Sequence, residues 1–314
     1  MPDVPMISVI TVSYNSEQYI SKTIESVLSQ TWPEFEYIIV DDNSTDNSWK
    51  IINQYPDSRI KAYRNESNLR EYPNRNRAVQ LATGRYIIFI DGDDVIYPNA
   101  IETFNYYIRL FPESSMFFTR EWDPRILYPF QVDPETIYRF EFLDGGIMGG
   151  NFTKVLFKRQ AILDAGLFPV HISTGDSYMQ LKIASKNKGV AINDGLTWWR
   201  RRKGNATEKF FKTNRHLAET INYKIAFINH ADCPLSKEDK ETAKTNIYGL
   251  YLRSLFRMIT HLKLSDVGYL WKNIKVPREY YRTVFIRSRT NYFNNHNGDN
   301  PLHTPVDSNK LRNN

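Results

Sequence analysis

The chain of 314 residues has a single cysteine, Cys233, so no disulfide can close within it. That excludes the disulfide-stapled secreted scaffolds and fits a reducing cytosol. No uncharged apolar run approaches the ~20 residues that a membrane-spanning helix needs. The opening residues, Met1-Pro2-Asp3-Val4-Pro5, lack the basic and apolar regions of a signal peptide, so a cytoplasmic protein is expected. There is no Gly-rich phosphate loop of the kind many nucleotidyl- and phosphotransferases use, and no internal repeat. Cys233 adjoins Pro234 in a polar segment without the surroundings of a catalytic thiol, and a structural or incidental role is expected. What remains suits a folded enzyme. Hydrophobic residues make up 41% of the chain, enough for one large α/β domain and an appendage.

The chain is richest in information at Asp91-Gly92-Asp93-Asp94, directly after the apolar run Tyr86-Ile87-Ile88-Phe89-Ile90. A β-branched and aromatic run entered through Gly84-Arg85 reads as a buried strand. Three carboxylates then leave its end. Like charges this close repel, and burying them unpaired costs several kcal/mol or more. A divalent cation shared with a phosphate would offset them, because Mg²⁺ or Mn²⁺ takes one or two carboxylates plus substrate oxygens. A solvated acidic turn is the plain alternative. Two more strands have the same form. Tyr37-Ile38-Ile39-Val40 ends in Asp41-Asp42-Asn43-Ser44-Thr45-Asp46, and Ile7-Ser8-Val9-Ile10-Thr11-Val12 ends in Ser13-Tyr14-Asn15. Helical spacing lies between them, at Ile20, Ile24, Val27 and Leu28, then at Trp49, Ile51 and Ile52 after the capping cluster Ser44-Thr45-Asp46, then at Ala78, Leu81 and Ala82. Alternating strands and helices predict βαβ units and a mostly parallel sheet. Ligands of such sheets bind outside the carboxyl ends of the strands, where all three polar clusters fall.

These runs, together with Ser26-Val27-Leu28-Ser29-Gln30-Thr31 and Ala82-Thr83-Gly84-Arg85-Tyr86, resemble the inverting glycosyltransferase family 2, whose fold is GT-A. The resemblance continues through Gly149-Gly150-Asn151, Val155-Leu156-Phe157-Lys158-Arg159, Ala165-Gly166-Leu167-Phe168 and Gly175-Asp176, and covers roughly residues 5–205. It implies an α/β fold with a mostly parallel, Rossmann-like sheet flanked by helices. It also implies roles. Val12, Ser13 and Tyr14 would hold the base of a nucleotide, and Asp42 beside Asp41 would read it. Arg75 and Asn76 would complete the donor nucleotide site. Asp91 and Asp93 match the Asp-x-Asp motif, with Asp93 the direct metal ligand. Asp94 would face the donor sugar or serve structure, and Asp176 would be the catalytic base. Gly149, Gly150 and Asn151 would border the acceptor. The cofactor implied is a divalent cation, Mn²⁺ or Mg²⁺.

Each residue also has a plainer reading. Asp176 could simply cap the helix that Tyr178, Leu181, Ile183 and Ala184 predict. Tyr14 is one of 20 tyrosines and could pack on the core, and Arg75 could belong to a solvated cluster with Arg70, Glu71 and Arg77. Family members commonly carry an acid just before the base, and here that position is Gly175. The run Trp198-Trp199-Arg200-Arg201-Arg202-Lys203 could clamp a diphosphate through Arg200 and Arg202, although Arg202 stands where the family often has a histidine. An anionic-surface contact is the alternative for that run. The Gln, Arg and Trp pattern of processive synthases is missing, which argues for adding one sugar or a few.

The expected division is a catalytic domain over 1–207, a helical subdomain over 208–290 and a disordered tail over 291–314. Leu217, Ile221, Ile225 and Ile228 predict one helix; Ile247, Leu250, Tyr251, Leu255 and Ile259 predict another, opposite Arg253 and Arg257. Between 251 and 289 nine Lys and Arg face two acids, Asp266 and Glu279. Such helices suit peripheral contact with an anionic membrane, or a subdomain packed on the catalytic domain or a second subunit. No motif supports nucleic acid as a partner. The sequence therefore predicts a metal-dependent transferase that moves a sugar from a nucleoside-diphosphate sugar, expected to be UDP-linked, to a hydroxyl of a glycan or lipid-linked acceptor in surface polysaccharide assembly. Two rivals are a non-catalytic nucleotide-sugar-binding scaffold and a nucleotidyl- or phosphotransferase.

Overall fold

The computed structural model describes residues 7–120, 127–148, 151–193, 195–200, 216–261 and 263–285. Eight strands form one sheet: β1 (Ile7–Ser13), β2 (Phe35–Asp41), β3 (Ile60–Arg64), β4 (Tyr86–Phe89), β6 (Met116–Arg120), β7 (Phe130–Val132), β8 (Val155–Lys158) and β9 (Gly189–Asn193). Their order is β3-β2-β1-β4-β8-β6-β9-β7. Pairing is parallel except where β8 meets β4 and β6 and where β7 meets β9. A second, two-stranded sheet joins β5 (Val95–Ile96) to β10 (Thr197–Trp198). The mostly parallel sheet expected from the alternating pattern is the one observed.

Helices α1 (Ile20–Leu28), α2 (Ser48–Ile52), α3 (Glu71–Leu81), α4 (Ala100–Leu110), α5 (Pro134–Leu143), α6 (Arg159–Asp164) and α7 (Gly175–Ala184) surround the sheet. Both of its faces are therefore covered, which explains why the strands read as continuous apolar runs. Successive side chains go to opposite faces. Tyr37 and Ile39 enter one core with Ile7, Val9 and Ile24, while Ile38 and Val40 enter the other with Ile10, Phe89 and Phe118. Each such aliphatic side chain contributes roughly 1.5–3 kcal/mol by leaving water.

The far edge of β1, β2 and β4 is stapled by a charge. Glu36 is buried and accepts from the Ser8 hydroxyl, the Lys61 ammonium and the Thr83 amide and hydroxyl. Burial alone would raise its pKa, but these donors outweigh it and hold the carboxyl at about 2. Gly84 follows because a Cβ there would lie 2.5 Å from the Ser8 hydroxyl oxygen and 2.7 Å from the Ser8 amide nitrogen.

Helices α8 (His216–Asn229), α9 (Lys237–Thr260) and α10 (Leu264–Asn273) follow, then a 3₁₀ turn over Arg278–Phe285. Tyr223, Ile228, Cys233, Leu235 and Ala243 join the core on the α5 and α7 side of the sheet. Cys233 is buried there, which pushes its thiol pKa up. Ala218, Ile221, Tyr251, Leu255, Met258, Leu270 and Ile274 make a smaller core of their own. The helices stand where the periodicity placed them, but the apolar face of α9 differs. Tyr248, Tyr251, Leu255 and Met258 are buried, whereas Leu250 and Ile259 are 62% and 48% exposed. A helix advances about 100° per residue, which turns Leu250 off the stripe that α5 and the 3₁₀ turn cover, whereas Ile259 lies at the edge of that stripe in the last turn of the helix.

Candidate active site

The order β3-β2-β1-β4 reverses direction of travel between β1 and β4, and the crevice beyond their carboxyl ends is where open α/β sheets take ligands. Tyr14 stands at that end, 49% exposed. Ser13 beside it is buried, and its hydroxyl finds no hydrogen-bond partner among the described residues. Val12 packs partly into the core.

Asp41 and Asp42 are both buried at the end of β2, and the protein itself engages them. Asp41 accepts from the Ser44 amide and hydroxyl, with the Arg64 guanidinium at 3.5 Å. Asp42 accepts from Asn65 Nδ2 and from the Leu69 and Arg70 amides. This grip has a purpose in the backbone, since Arg70 sits at φ 72°, a region that side chains disfavour. Three hydrogen bonds to one carboxylate leave it about one lone pair for a ligand. Capping differs from expectation too. Helix α2 starts after Asn47, whose side chain makes no cap, and Asp46 accepts from the Ser48 amide instead.

Arg75 is not a surface residue. Its side chain is 3% exposed, with its charge centre 3.9 Å from the centroid of the Phe152 ring and 5.4 Å from that of Phe89. Two of its nitrogens donate to the two Asp91 oxygens at 2.7 and 2.8 Å. Asn76 is occupied as well, donating to the Phe168 carbonyl and accepting from the Phe168 amide. As placed, Arg75 and Asn76 organise the floor of the crevice through Asp91 and Phe168.

The turn after β4 is tightly tethered. Gly92 donates to the Val12 carbonyl, Asp94 accepts from the Arg200 amide, and Arg200 Nε donates to the Asp93 carbonyl. The Arg200 guanidinium also lies over the rings of Trp198 and Tyr19. Asp94 is 1% exposed, and burial, then the charge of Asp91, lifts its carboxyl well above the usual range. No group of three or more His, Cys, Asp or Glu among the described residues is arranged to hold a metal unaided. The donor set still fits one divalent cation, because crowded carboxylates strain against each other and a hard cation needs only one or two of them. Asp93 would be the ligand, with Asp91 turned mainly toward Arg75.

Asp176 is the second residue of α7, whose capping position is Thr174, so it is not the cap that the plainer reading allowed. Its carboxylate accepts from the Ser177 amide at 2.7 Å. Burial raises its pKa to about 6, against the lowering effect of that amide; the Glu71 charge raises it further and Arg75 lowers it. Asp176 therefore lies within electrostatic reach of Arg75 and Glu71. Asn151 precedes the short turn that carries Phe152 and accepts from the Thr153 hydroxyl. Gly149, Gly150 and Arg202 lie outside the described residues.

Residues 8–161 match the model of Glycosyl transferase family 2. The chain belongs to glycosyltransferase family 2. The Escherichia coli protein UDP-Glc:alpha-D-GlcNAc-diphosphoundecaprenol beta-1,3-glucosyltransferase WfaP is 46% identical over 89 residues, 28% of this chain and 36% of WfaP. The chain thus covers little more than a third of that relative's length. Among solved structures, S. aureus TarS 1-349 in complex with UDP-GlcNAc superposes with TM-score 0.60 at 22% identity, over 80% of this chain and 73% of TarS. The mannosyltransferase PcManGT from Pyrobaculum calidifontis, in complex with GDP-Man and Mn²⁺, superposes with TM-score 0.56 at 17% identity, over 86% of each chain. These likenesses agree with the GT-A fold.

Several residues of this glycosyltransferase's crevice were not legible beforehand. Asn65 donates to both Asp42 and Asn74 and accepts from Arg77. Phe152, which lies against Arg75, packs with Phe168 and Tyr72 at ring distances of 5.1 to 6.5 Å. Tyr72 itself bonds to the turn before Asp176. Of these, Phe168 closes the run Ala165-Gly166-Leu167-Phe168 of the resemblance and Arg77 belongs to the charged cluster around Arg75, but neither carried a role in the site.

Proposed function

We propose that the protein transfers a sugar, with inversion, from a nucleoside-diphosphate sugar to an acceptor hydroxyl. The observation that carries this reading is one convergence: the acidic 91–94 turn, the buried Arg75 and the raised carboxyl of Asp176 meet outside the carboxyl ends of β1 and β4. Asp176 takes the proton of the acceptor hydroxyl. The hydroxyl oxygen forms its bond to the anomeric carbon from the face opposite the leaving group. The bond from that carbon to the diphosphate breaks, and its electron pair leaves with the nucleoside diphosphate. One displacement inverts the centre and needs no covalent nucleophile, which suits a crevice without a reactive cysteine. A carboxyl titrating near pH 6 is a well-matched base, since catalytic efficiency is best when the pKa lies near the working pH.

A bound divalent cation, held by Asp93 with Asp91 beside it, would supply positive charge to the departing diphosphate. Tyr14 and the Ser13 hydroxyl, which has no partner among the described residues, offer a stacking face and a hydrogen bond for the base and ribose. Uridine is the base we assign, supported by the UDP-sugars in the names of WfaP and the TarS complex. WfaP's name also supports a lipid-diphosphate-linked glycan as acceptor. We place the protein in the cytoplasm, peripheral on the inner membrane face, through the basic helices α9 and α10.

Calorimetry with UDP, GDP, CDP and dTDP, each with Mn²⁺, Mg²⁺ and EDTA, tests the donor site. At about 100-fold excess over Kd a ligand stabilises the fold by roughly 2.7 kcal/mol. UDP binding that EDTA abolishes is expected. No binding by any diphosphate would overturn the reading, and UDP binding with donor turnover unaffected by Asp176→Asn would favour a scaffold.

A further inference from the structure

Helix α7 begins without a side-chain cap from the residue before it: Thr174 makes no side-chain bond to the first turn. The first amides of a helix have no internal acceptor and must find one elsewhere. Tyr72, on α3 and 103 residues upstream, provides it: its hydroxyl accepts from the Gly175 amide at 2.7 Å and donates to the Ser173 carbonyl at 2.9 Å. The ring is held by Phe168 and Phe152. It also fills the space beside Gly175, where a Cβ would lie 2.5 Å from a ring carbon. An acidic residue before the base therefore has no room in this chain; the tyrosine ring occupies that place. From the other side, Glu219 on α8 accepts from the Ser173 amide at 2.8 Å and from the Ser173 hydroxyl at 2.5 Å. The Thr174 and Thr220 hydroxyls meet at 3.5 Å.

We infer that Tyr72 and Glu219 are positioning residues for Asp176, clamping the 173–175 turn between the sheet domain and helix α8. Among the described residues the carboxylate is held by backbone amides of the helix start, those of Ser177 and of Asp176 itself, so the path of this turn sets where it points. The inference rests on Asp176 being the base. It also gives α8 a part in the reaction site, because Glu219 comes from the helical region after the sheet.

The test is carbon-13 NMR of the full chain labelled at aspartate carboxyls, with Asp176 identified by its loss in Asp176→Asn. In the parent the carboxyl should titrate near 6. In Tyr72→Phe the 173–175 turn loses both hydroxyl bonds and admits water, so the midpoint should fall by ~1 pH unit toward the ordinary aspartate value. Glu219→Gln should move it the same way by less. Tyr138→Phe is the control, since Tyr138 bonds the Leu181 carbonyl at the opposite end of α7 and should leave the midpoint in place. UDP release from UDP-GlcNAc and UDP-glucose gives the second readout. Tyr72→Phe should lower kcat roughly ten- to a hundredfold while donor KM stays within about twofold, as a displaced catalytic group would. A parent-like titration in Tyr72→Phe, or an equal shift in Tyr138→Phe, overturns the inference. Turnover that survives Asp176→Asn overturns the base assignment instead, whatever the titrations show.

Discussion

Asp176 is costly to keep in its charged form. Its pKa is raised by burial from an ordinary 3.8 to about 6, so folding favours the protonated acid. The sign follows from linkage: the stabilising contribution is complete below about pH 4 and is lost as pH rises through about 6. Above that the charged carboxylate weakens the fold by on the order of 3 kcal/mol. Asp176→Asn should therefore match the parent's Tm near pH 4 and exceed it at pH 8, in a melting series from pH 4 to 8. Turnover has the opposite dependence. Only the ionised carboxylate can take the acceptor's proton, so kcat should rise with pH and level off above about 6, and Asp176→Asn should reduce it by about 10²–10⁴-fold at the plateau. Tm and kcat moving in opposite directions would show one residue serving the reaction at the expense of stability, as functional sites commonly do.

At the scale of elements, α3 and β4 are joined by one ion pair in an aromatic wall. Arg75 reaches Asp91 from between Phe89 and Phe152, and its neutral replacement would leave Asp91 facing Asp93 and Asp94 without a partner. Removing one member of a buried pair costs about 3–5 kcal/mol. Arg75→Met should lower urea stability by that amount, and Asp91→Asn, which keeps an acceptor for the guanidinium, should lower it less; equal losses would mean the charge is immaterial. The opposite rim responds to acid. Glu36 is held at about 2 by Lys61, Ser8 and Thr83 against its burial. Its contribution, on the order of 3 kcal/mol, is present above about pH 4.5 and should fade as pH drops toward 2. Glu36→Gln should flatten that part of the stability profile. Both pairs mark what the sequence can and cannot reveal. Buried parallel strands write themselves as contiguous apolar runs, so β1, β2, β4 and the acidic turn were legible at once. Residue type does not reveal what a side chain faces, so Arg75 and Asn76 read as nucleotide contacts while their observed partners are Asp91 and Phe168. Tyr72 was silent because its partners Ser173 and Gly175 lie about a hundred residues along the chain, brought near only by the fold.

The molecule as a whole is lopsided. Its net charge of +6 is concentrated late, where nine cations face two acids between 251 and 289. That region also exposes large apolar side chains: Phe256 at 66%, Ile259 at 48%, Leu264 at 63% and Trp271 at 59%. Leu264 and Trp271 are seven residues apart on α10, hence on one face, and Gly268 between them opens on empty space. Phe256 and Ile259, three apart, share a face of the last turns of α9. Apolar side chains among cations suit the surface of an anionic bilayer, where each Lys or Arg near the surface adds about 1 kcal/mol and the apolar groups enter the headgroup boundary. No helix among the described residues is long and apolar enough to cross a membrane. The protein should sediment with vesicles containing phosphatidylglycerol and remain free with neutral phosphatidylcholine vesicles. Raising salt should release it, because surface attraction is screened within ~8 Å at physiological ionic strength. Phe256→Ser with Trp271→Ser should weaken binding at every salt concentration, whereas Arg257→Glu with Lys272→Glu should weaken it most at low salt. Binding indifferent to lipid charge would dismiss the membrane, and a dimer in ultracentrifugation that the Phe256 and Trp271 changes dissolve would assign the same face to a second copy of the chain.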